Sequence, residues 1–137
     1  MAARSRFFPG FTRVDVAGNV EIDSNNQAQI CSAHITGDVV ISNTNPGPLF
    51  LGISCGRGDI IDGNVSIANN NASSLIVANS TIGKNMSVTD NVGTRPKTVA
   101  VNTVTGNLEC SGNQTPFSID PTGNTSLKGK LIGQCAQ

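Results

Sequence analysis

The sequence predicts an all-β fold: a single-domain parallel β-helix, or β-solenoid, of about five to six coils. Three observations carry this. A heptapeptide pattern recurs along the chain, its copies are spaced by one solenoid coil, and the composition is that of tight turns between short strands. Among 137 residues there are 15 Gly, 16 Asn, 13 Ser and 12 Thr, set between short runs of Val, Ile and Leu. Such residues disfavour helix: Gly costs backbone entropy, Asn, Ser and Thr compete for backbone hydrogen bonds, and β-branched side chains are stiff.

The pattern is apolar, any, Gly, Asn or Asp, apolar, any, apolar. It begins with Val16-Ala17-Gly18-Asn19-Val20-Glu21-Ile22 and returns as Ile35-Thr36-Gly37-Asp38-Val39-Val40-Ile41 and Ile61-Asp62-Gly63-Asn64-Val65-Ser66-Ile67. A looser copy runs from Ile82 to Val88 with Lys84 before Asn85, a close one from Val104 to Cys110, and a degenerate one from Leu127 to Leu131. Taking Val20 as reference, the equivalent positions are Val39, Val65, Met86, Leu108 and Leu131, with spacings of 19, 26, 21, 22 and 23. Alternation over so short a run reads as a strand with one face buried, and Gly before Asn or Asp permits a bend without a Cβ clash. Each unit carries a second apolar run: Ala28 to Ile30, Phe50 to Ile53, Leu75 to Val77, Val99 to Val101 and Phe117 to Ile119. Two or three strands per unit of this length stack coil on coil at about 4.8 Å. A β-sandwich would not repeat one heptapeptide at one phase, and a leucine-rich repeat needs a Leu-x-x-Leu-x-Leu consensus that is missing.

Stacking predicts columns of like polar residues at the turns. Five residues after each reference position stand Asn25, Thr44, Asn70, Asn91 and Asn113, expected to form a structural amide ladder. A second column is expected at Asn79, Asn102 and Asn124. The four cysteines fit the same geometry. Cys31 and Cys55 are 24 residues apart and Cys110 and Cys135 are 25 apart, so each pair falls on adjacent coils and is expected to form a disulfide. No Cys-x-x-Cys pair exists to anchor a metal, and none is expected; Cys31, His34 and Cys55 are the single constellation that could hold one.

Composition narrows the partners. Nine Lys and Arg balance nine Asp and Glu, and the aromatics are five Phe with no Trp or Tyr. Neither a basic footprint nor a stacking platform for nucleic acid is present. No apolar run of about 18 residues spans a bilayer. Residues 1–13 read as an N-terminal cap or tail and residues 14–137 as the β-helix. The start is basic and then apolar, but Pro9 and Gly10 interrupt it before Phe11. Disulfides ask for an oxidising compartment, so the expectation is an extracellular or cell-surface protein whose export signal has been removed. The cluster Phe7-Phe8-Pro9-Gly10-Phe11 is expected to cap the open first coil.

With these residues in view, the coils resemble those of right-handed parallel β-helix proteins of the broad pectate-lyase-like type. The closing stretch Gly106-Asn107-Leu108-Glu109-Cys110-Ser111-Gly112-Asn113, followed by Asn124-Thr125 and Gly133-Gln134-Cys135, resembles the end of a group of uncharacterised secreted bacterial β-helix proteins. The resemblance implies a right-handed coil and export, and it brings no established activity. Enzymes on such scaffolds place carboxylates, Lys and Arg side by side on the outside of one stacked strand.

Here that outward column reads Glu21, Val40, Ser66, Ser87, Glu109, with four coil steps, roughly 19 Å, between the two acids. The loop around Cys55-Gly56-Arg57-Gly58 is the best place for a ligand or cation, with Arg57, Asp59 and Asp62 local to it and Asp38 on the neighbouring coil; an Arg57 to Asp59 ion pair is its plainer role. An ice-binding face needs regular Thr ranks, and Thr103-Val104-Thr105 stands alone in the sequence. No catalytic residue and no cofactor is expected. The leading expectation is a non-catalytic structural or adhesin-like interaction module, with a surface glycan or protein as partner. The alternatives are a carbohydrate-binding or polysaccharide-lyase-like domain, and a filament subunit similar to bactofilins that self-associates through its coil ends.

Overall fold

The computed structural model describes residues 13–53, 55–119 and 123–136. The expected cap over the first residues, with its phenylalanine cluster, lies outside them. The chain winds in order through β1 (Val14–Val16), β2 (Val20–Asp23) and β3 (Ala28–Ile30), then β4 (Ala33–Ile35), β5 (Val39–Ser42) and β6 (Leu49–Leu51). The third coil is β7 (Ile60–Ile61), β8 (Val65–Ala68) and β9 (Leu75–Ala78), and the fourth is β10 (Thr81–Ile82), β11 (Met86–Thr89) and β12 (Lys97–Ala100). A fifth coil follows, with β13 (Thr103–Val104), β14 (Leu108–Ser111) and β15 (Phe117–Ser118). The chain closes on β16 (Thr125–Ser126), β17 (Leu131–Gly133) and a 3₁₀ turn (Gln134–Ala136).

Every pairing between these strands is parallel, and each joins a strand to its equivalent one coil away. The result is a solenoid of about five turns with three sheets. The first sheet runs β1-β4-β7-β10-β13-β16, the second β2-β5-β8-β11-β14-β17 and the third β3-β6-β9-β12-β15. The heptapeptide is therefore a corner. Its first residue ends a strand of the first sheet, and its last three begin a strand of the second. Val20, Val39, Val65, Met86, Leu108 and Leu131 stand in one register line. Ile22, Ile41, Ile67, Val88 and Cys110 form the next inward line, and all five are fully buried. Each such aliphatic side chain contributes roughly 1.5–3 kcal/mol by leaving water, which lets strands of two to four residues persist.

The glycine of the heptapeptide has a different reason from the expected bend. Only the first, Gly18, has a positive φ. A Cβ on Gly37 would strike Oδ1 of Asn19; on Gly63, Oδ1 of Asp38; on Gly106, Oδ1 of Asn85; and on Gly129, Oδ1 of Asn107. These glycines make room for the side chain of the preceding coil. That side chain is used: Asn19 Oδ1 accepts from the backbone N–H of Asp38 (2.8 Å), Asp38 Oδ1 from Asn64 (2.7 Å), Asn64 Oδ1 from Asn85 (3.2 Å), Asn85 Oδ1 from Asn107 (2.9 Å) and Asn107 Oδ1 from Lys130 (2.9 Å). Gly and the following Asn or Asp are two halves of one interlocking device between coils.

The second apolar run is displaced in two places. β6 begins at Leu49, so Phe50 faces outward and is half-buried. β12 begins at Lys97, whose register partners are Leu75 and Phe117, so a lysine occupies a core-facing position. Val101, read as the end of that run, has already left the strand, with φ +57° and an exposed side chain.

Candidate functional site

The corner between the second and third sheets holds the ladder foreseen at Asn70, Asn91 and Asn113. Asn91 Oδ1 accepts from Asn70 N (3.1 Å) and Nδ2 (2.9 Å), and Asn113 Oδ1 accepts from Asn91 N (3.1 Å) and Nδ2 (2.8 Å). Each Nδ2 also donates to a core carbonyl: Asn70 to Ile41, Asn91 to Ile67 and Asn113 to Val88. Gln134 closes the ladder, its Oε1 accepting from Asn113 N and Nδ2 while its Nε2 donates to Asn113 O. At the other end Thr44 N donates to Asn70 Oδ1, but the Thr44 hydroxyl is buried without a partner. Asn25 stands one coil further out, and its amide turns back to Asp23 O (3.1 Å). Thr44 has no amide, so Asn25 is cut off from the ladder.

The column between the third and first sheets departs from expectation by one residue. Asn102 and Asn124 belong to it: Asn124 Oδ1 accepts from Asn102 N (3.1 Å) and Nδ2 (3.0 Å), and Asn102 Nδ2 donates to Val77 O. Its next two members are Ser80, whose N–H donates to Asn102 Oδ1 (3.1 Å), and Asp59, whose Oδ1 accepts from Ala33 N (2.9 Å). Asn79 lies outside the column, exposed, with φ +55°. Asp59, Ser80, Asn102 and Asn124 each stand directly before a strand of the first sheet, whereas Asn79 is one residue too early.

Asp59 is 1% exposed. Where an asparagine would place a donating amide it has Oδ2, which finds no partner. Burial raises its pKa from 3.8 to about 6, against the pull of the Ala33 and Gly52 N–H groups and the charge of Arg13. Arg13 reaches this corner and donates from Nη2 to Gly58 O (3.0 Å), while its Nε is buried without a partner. The expected Arg57 to Asp59 ion pair is not formed.

The loop around Cys55 is pressed against its neighbours at Gly52 and Gly58. A Cβ on Gly52 would meet Ala78 O and Ser80 Oγ, and one on Gly58 would meet Asn79 O. The Cys31–Cys55 bridge (Cα–Cα 5.6 Å) holds it to the first coil, and the Ser32 hydroxyl donates to Cys55 O (3.0 Å) and Arg57 O (3.4 Å). Between this loop and the next coil opens a cleft of about 520 Å³ lined by Gly52, Ile53, Gly56, Arg57, Gly58 and Asn79, within the roughly 300–1,000 Å³ of small-ligand sites. The second bridge, Cys110–Cys135 (Cα–Cα 5.1 Å), ties the 3₁₀ turn to β14.

Of the four residues singled out for a ligand, three fall at the two ends of β7. Arg57 and Asp59 precede it. Asp62 follows it and accepts from, or donates to, His34 Nε2 according to protonation (3.0 Å), with Asp15 on the other side of that imidazole (3.6 Å from Nδ1). Asp38 lies in the exposed interlocking column, its pKa held below the usual value mainly by the Asn64 backbone N–H. Both cysteines near His34 are disulfide-bonded, which takes them out of any metal constellation. The outward line Glu21, Val40, Ser66, Ser87, Glu109 is in register as expected, with its acids four steps apart. Thr103 has company across coils: Thr81, Thr103 and Thr125 are register partners, while the flanking line reads Gly83, Thr105, Leu127.

Lys97 was not foreseen. It is 1% exposed, and its Nζ donates to Gly93 O (2.5 Å) and Arg95 O (2.9 Å), with burial lowering its pKa. Its place two residues before Val99, in phase with the core, was the available signal.

Comparison with known proteins adds no relative. No family model matches the chain, and no curated protein or solved structure aligns with it significantly. The pectate-lyase-type likeness thus rests on the coil pattern alone.

Proposed function

We propose that this chain is a non-catalytic structural and interaction module that works outside the cell or at its surface. The observation that carries this reading is where the polar side chains are spent. Asn70, Asn91, Asn113, Asn102 and Asn124 satisfy one another and the backbone, Asp38 joins two coils, and the His34 imidazole sits between two aspartates. The groups that would otherwise carry chemistry are holding coils together. Two disulfides, one near each end, support an oxidising location. The sheet faces then offer flat, rigid display surfaces whose loops vary in length between coils.

Growth into a filament is not part of this reading. The carbohydrate-active alternative is separable by experiment. Purified protein incubated with neutral, uronic and sulfated polysaccharides should release neither unsaturated product at 235 nm nor new reducing ends. Turnover at any one polymer, retained through purification and abolished by heat, overturns the non-catalytic assignment.

A further inference from the structure

We propose that the loop corner at Gly56, Arg57 and Gly58 is a binding site for an oxyanion, a sulfate, phosphate or carboxylate group carried by a ligand. The argument is an imbalance of donors over acceptors. Three of the loop's carbonyls are already used: those of Cys55 and Arg57 share the single proton of the Ser32 hydroxyl, and that of Gly58 accepts from Arg13. The backbone N–H groups of Gly56, Arg57 and Gly58 have no acceptor among the described residues, and neither do the Arg57 guanidinium and the Asn79 side-chain amide. All five donors belong to residues that line this cleft. Gly56 has φ +81°, the left-handed backbone found where successive N–H groups form an anion-binding concavity. A planar guanidinium beside such a concavity is matched to an oxyanion with two or more oxygens rather than to a halide.

Charge agrees. The ionisable groups at this corner are Arg13, Arg57 and the buried Asp59, with Arg13 facing Asp59, so one guanidinium is left over for a ligand. Asp15, His34 and Asp62 form their own set on the outside of the first sheet. The rigidity of the site comes from the Cys31–Cys55 bridge and the Ser32 clamp, which hold the donors in place before a ligand arrives.

This assignment rests on the interaction-module reading for its biological use only, and its test is independent of that reading. The whole chain, labelled with ¹⁵N, is titrated with sodium sulfate, sodium phosphate or sodium acetate at constant ionic strength, with sodium chloride as the balancing salt. The expected result is saturable movement of the Gly56, Arg57 and Gly58 amide signals with a millimolar dissociation constant for at least one oxyanion; the tightest of the three names the ligand's group. Arg57→Gln should weaken binding at least about ten-fold while leaving the rest of the spectrum unchanged. Arg57→Lys, which keeps the charge and loses the fork, should fall between. Linear, unsaturable shifts, equal shifts with chloride alone, or undiminished binding in Arg57→Gln overturn the site. Those outcomes leave the module reading standing, whereas polysaccharide turnover would remove that reading and leave the ion titration intact.

Discussion

Two corners of the solenoid face the same problem, how to bury polar backbone where strands end, and they solve it with different completeness. Between the second and third sheets, Asn70, Asn91, Asn113 and Gln134 form an unbroken run in which every amide both accepts and donates. Between the third and first sheets, Asn124 and Asn102 begin the same run, but Ser80 and then Asp59 take over. An amide is the smallest side chain that offers an acceptor to one neighbour and a donor to another in a fixed plane. A hydroxyl or a carboxylate keeps the acceptor and loses the planar donor. The cleft opens where the second run has degenerated, beside Gly52 and Asn79. A complete ladder makes a wall, and an incomplete one leaves space.

The largest effect should come from breaking the complete corner. Asn91→Ala removes the acceptor of two buried Asn70 donors, takes the amide donor away from the Ile67 carbonyl and leaves Asn113 Oδ1 with the backbone N–H of residue 91 alone. A loss of about 3–5 kcal/mol in urea unfolding is expected, whereas Asn25→Ala, outside the ladder, should stay within about 0.5 kcal/mol. Equal losses would mean that ladder position has no bearing on stability.

Next in size are the staples. Replacing Cys110 and Cys135 by Ser, or Cys31 and Cys55 by Ser, should each cost about 3 kcal/mol, given loops of 24 and 25 residues. Only loss of Cys31–Cys55 should accelerate amide hydrogen exchange around Ala33 and Gly52, because it frees the loop at the degenerate corner.

The smallest of the three completes the broken column. Asp59 binds its proton more tightly folded than unfolded, since its pKa rises from 3.8 to about 6. Its contribution to stability is therefore fully present below about pH 3.8 and is lost as pH climbs through about 6. Asp59→Asn should remove that dependence and raise stability at pH 7.5 by roughly 2–3 kcal/mol. Asp23 and Asp38, whose pKa values are lowered by hydrogen bonds from Asn43 and from the Asn64 backbone, act with opposite sign and weaken the fold as pH falls below about 3.8. A wild-type stability curve that is flat between pH 4 and 6.5 would refute the assignment to Asp59.

The register could be read from Val20 to Leu131 because period-two burial and a fixed coil leave one phase that keeps every aliphatic residue inside. The Cys pairings followed from the same phase. The interlocking of Gly37 with Asn19 and of Gly63 with Asp38 was half legible: the pair of residues was visible, but its cause lies in a contact one coil away. Ser80 and Asp59 were missed as ladder members because the column was read by its asparagines; both stand directly before a first-sheet strand, as Asn102 and Asn124 do, but carry a hydroxyl and a carboxylate instead of an amide. Lys97 was missed because a charged residue counts against a core position until the carbonyls of Gly93 and Arg95 are seen to receive it. Of the ligand-loop residues, Arg57 stayed in the cleft, whereas Asp38, Asp59 and Asp62 were drawn into contacts that sequence distance does not encode.

The exposed column and the buried ladders point in opposite directions. In the first, the N–H of each coil donates back to the coil before it, from Asp38 to Asn19 and onward to Lys130 and Asn107. In the second, it donates forward, from Thr44 to Asn70 and onward to Asn113 and Gln134. Their aligned amide dipoles therefore oppose each other along the axis. Two buried ladders run forward against one exposed column running back, so the side-chain contacts of the winding offset one another in part, unlike the backbone amides of a helix, which all point one way.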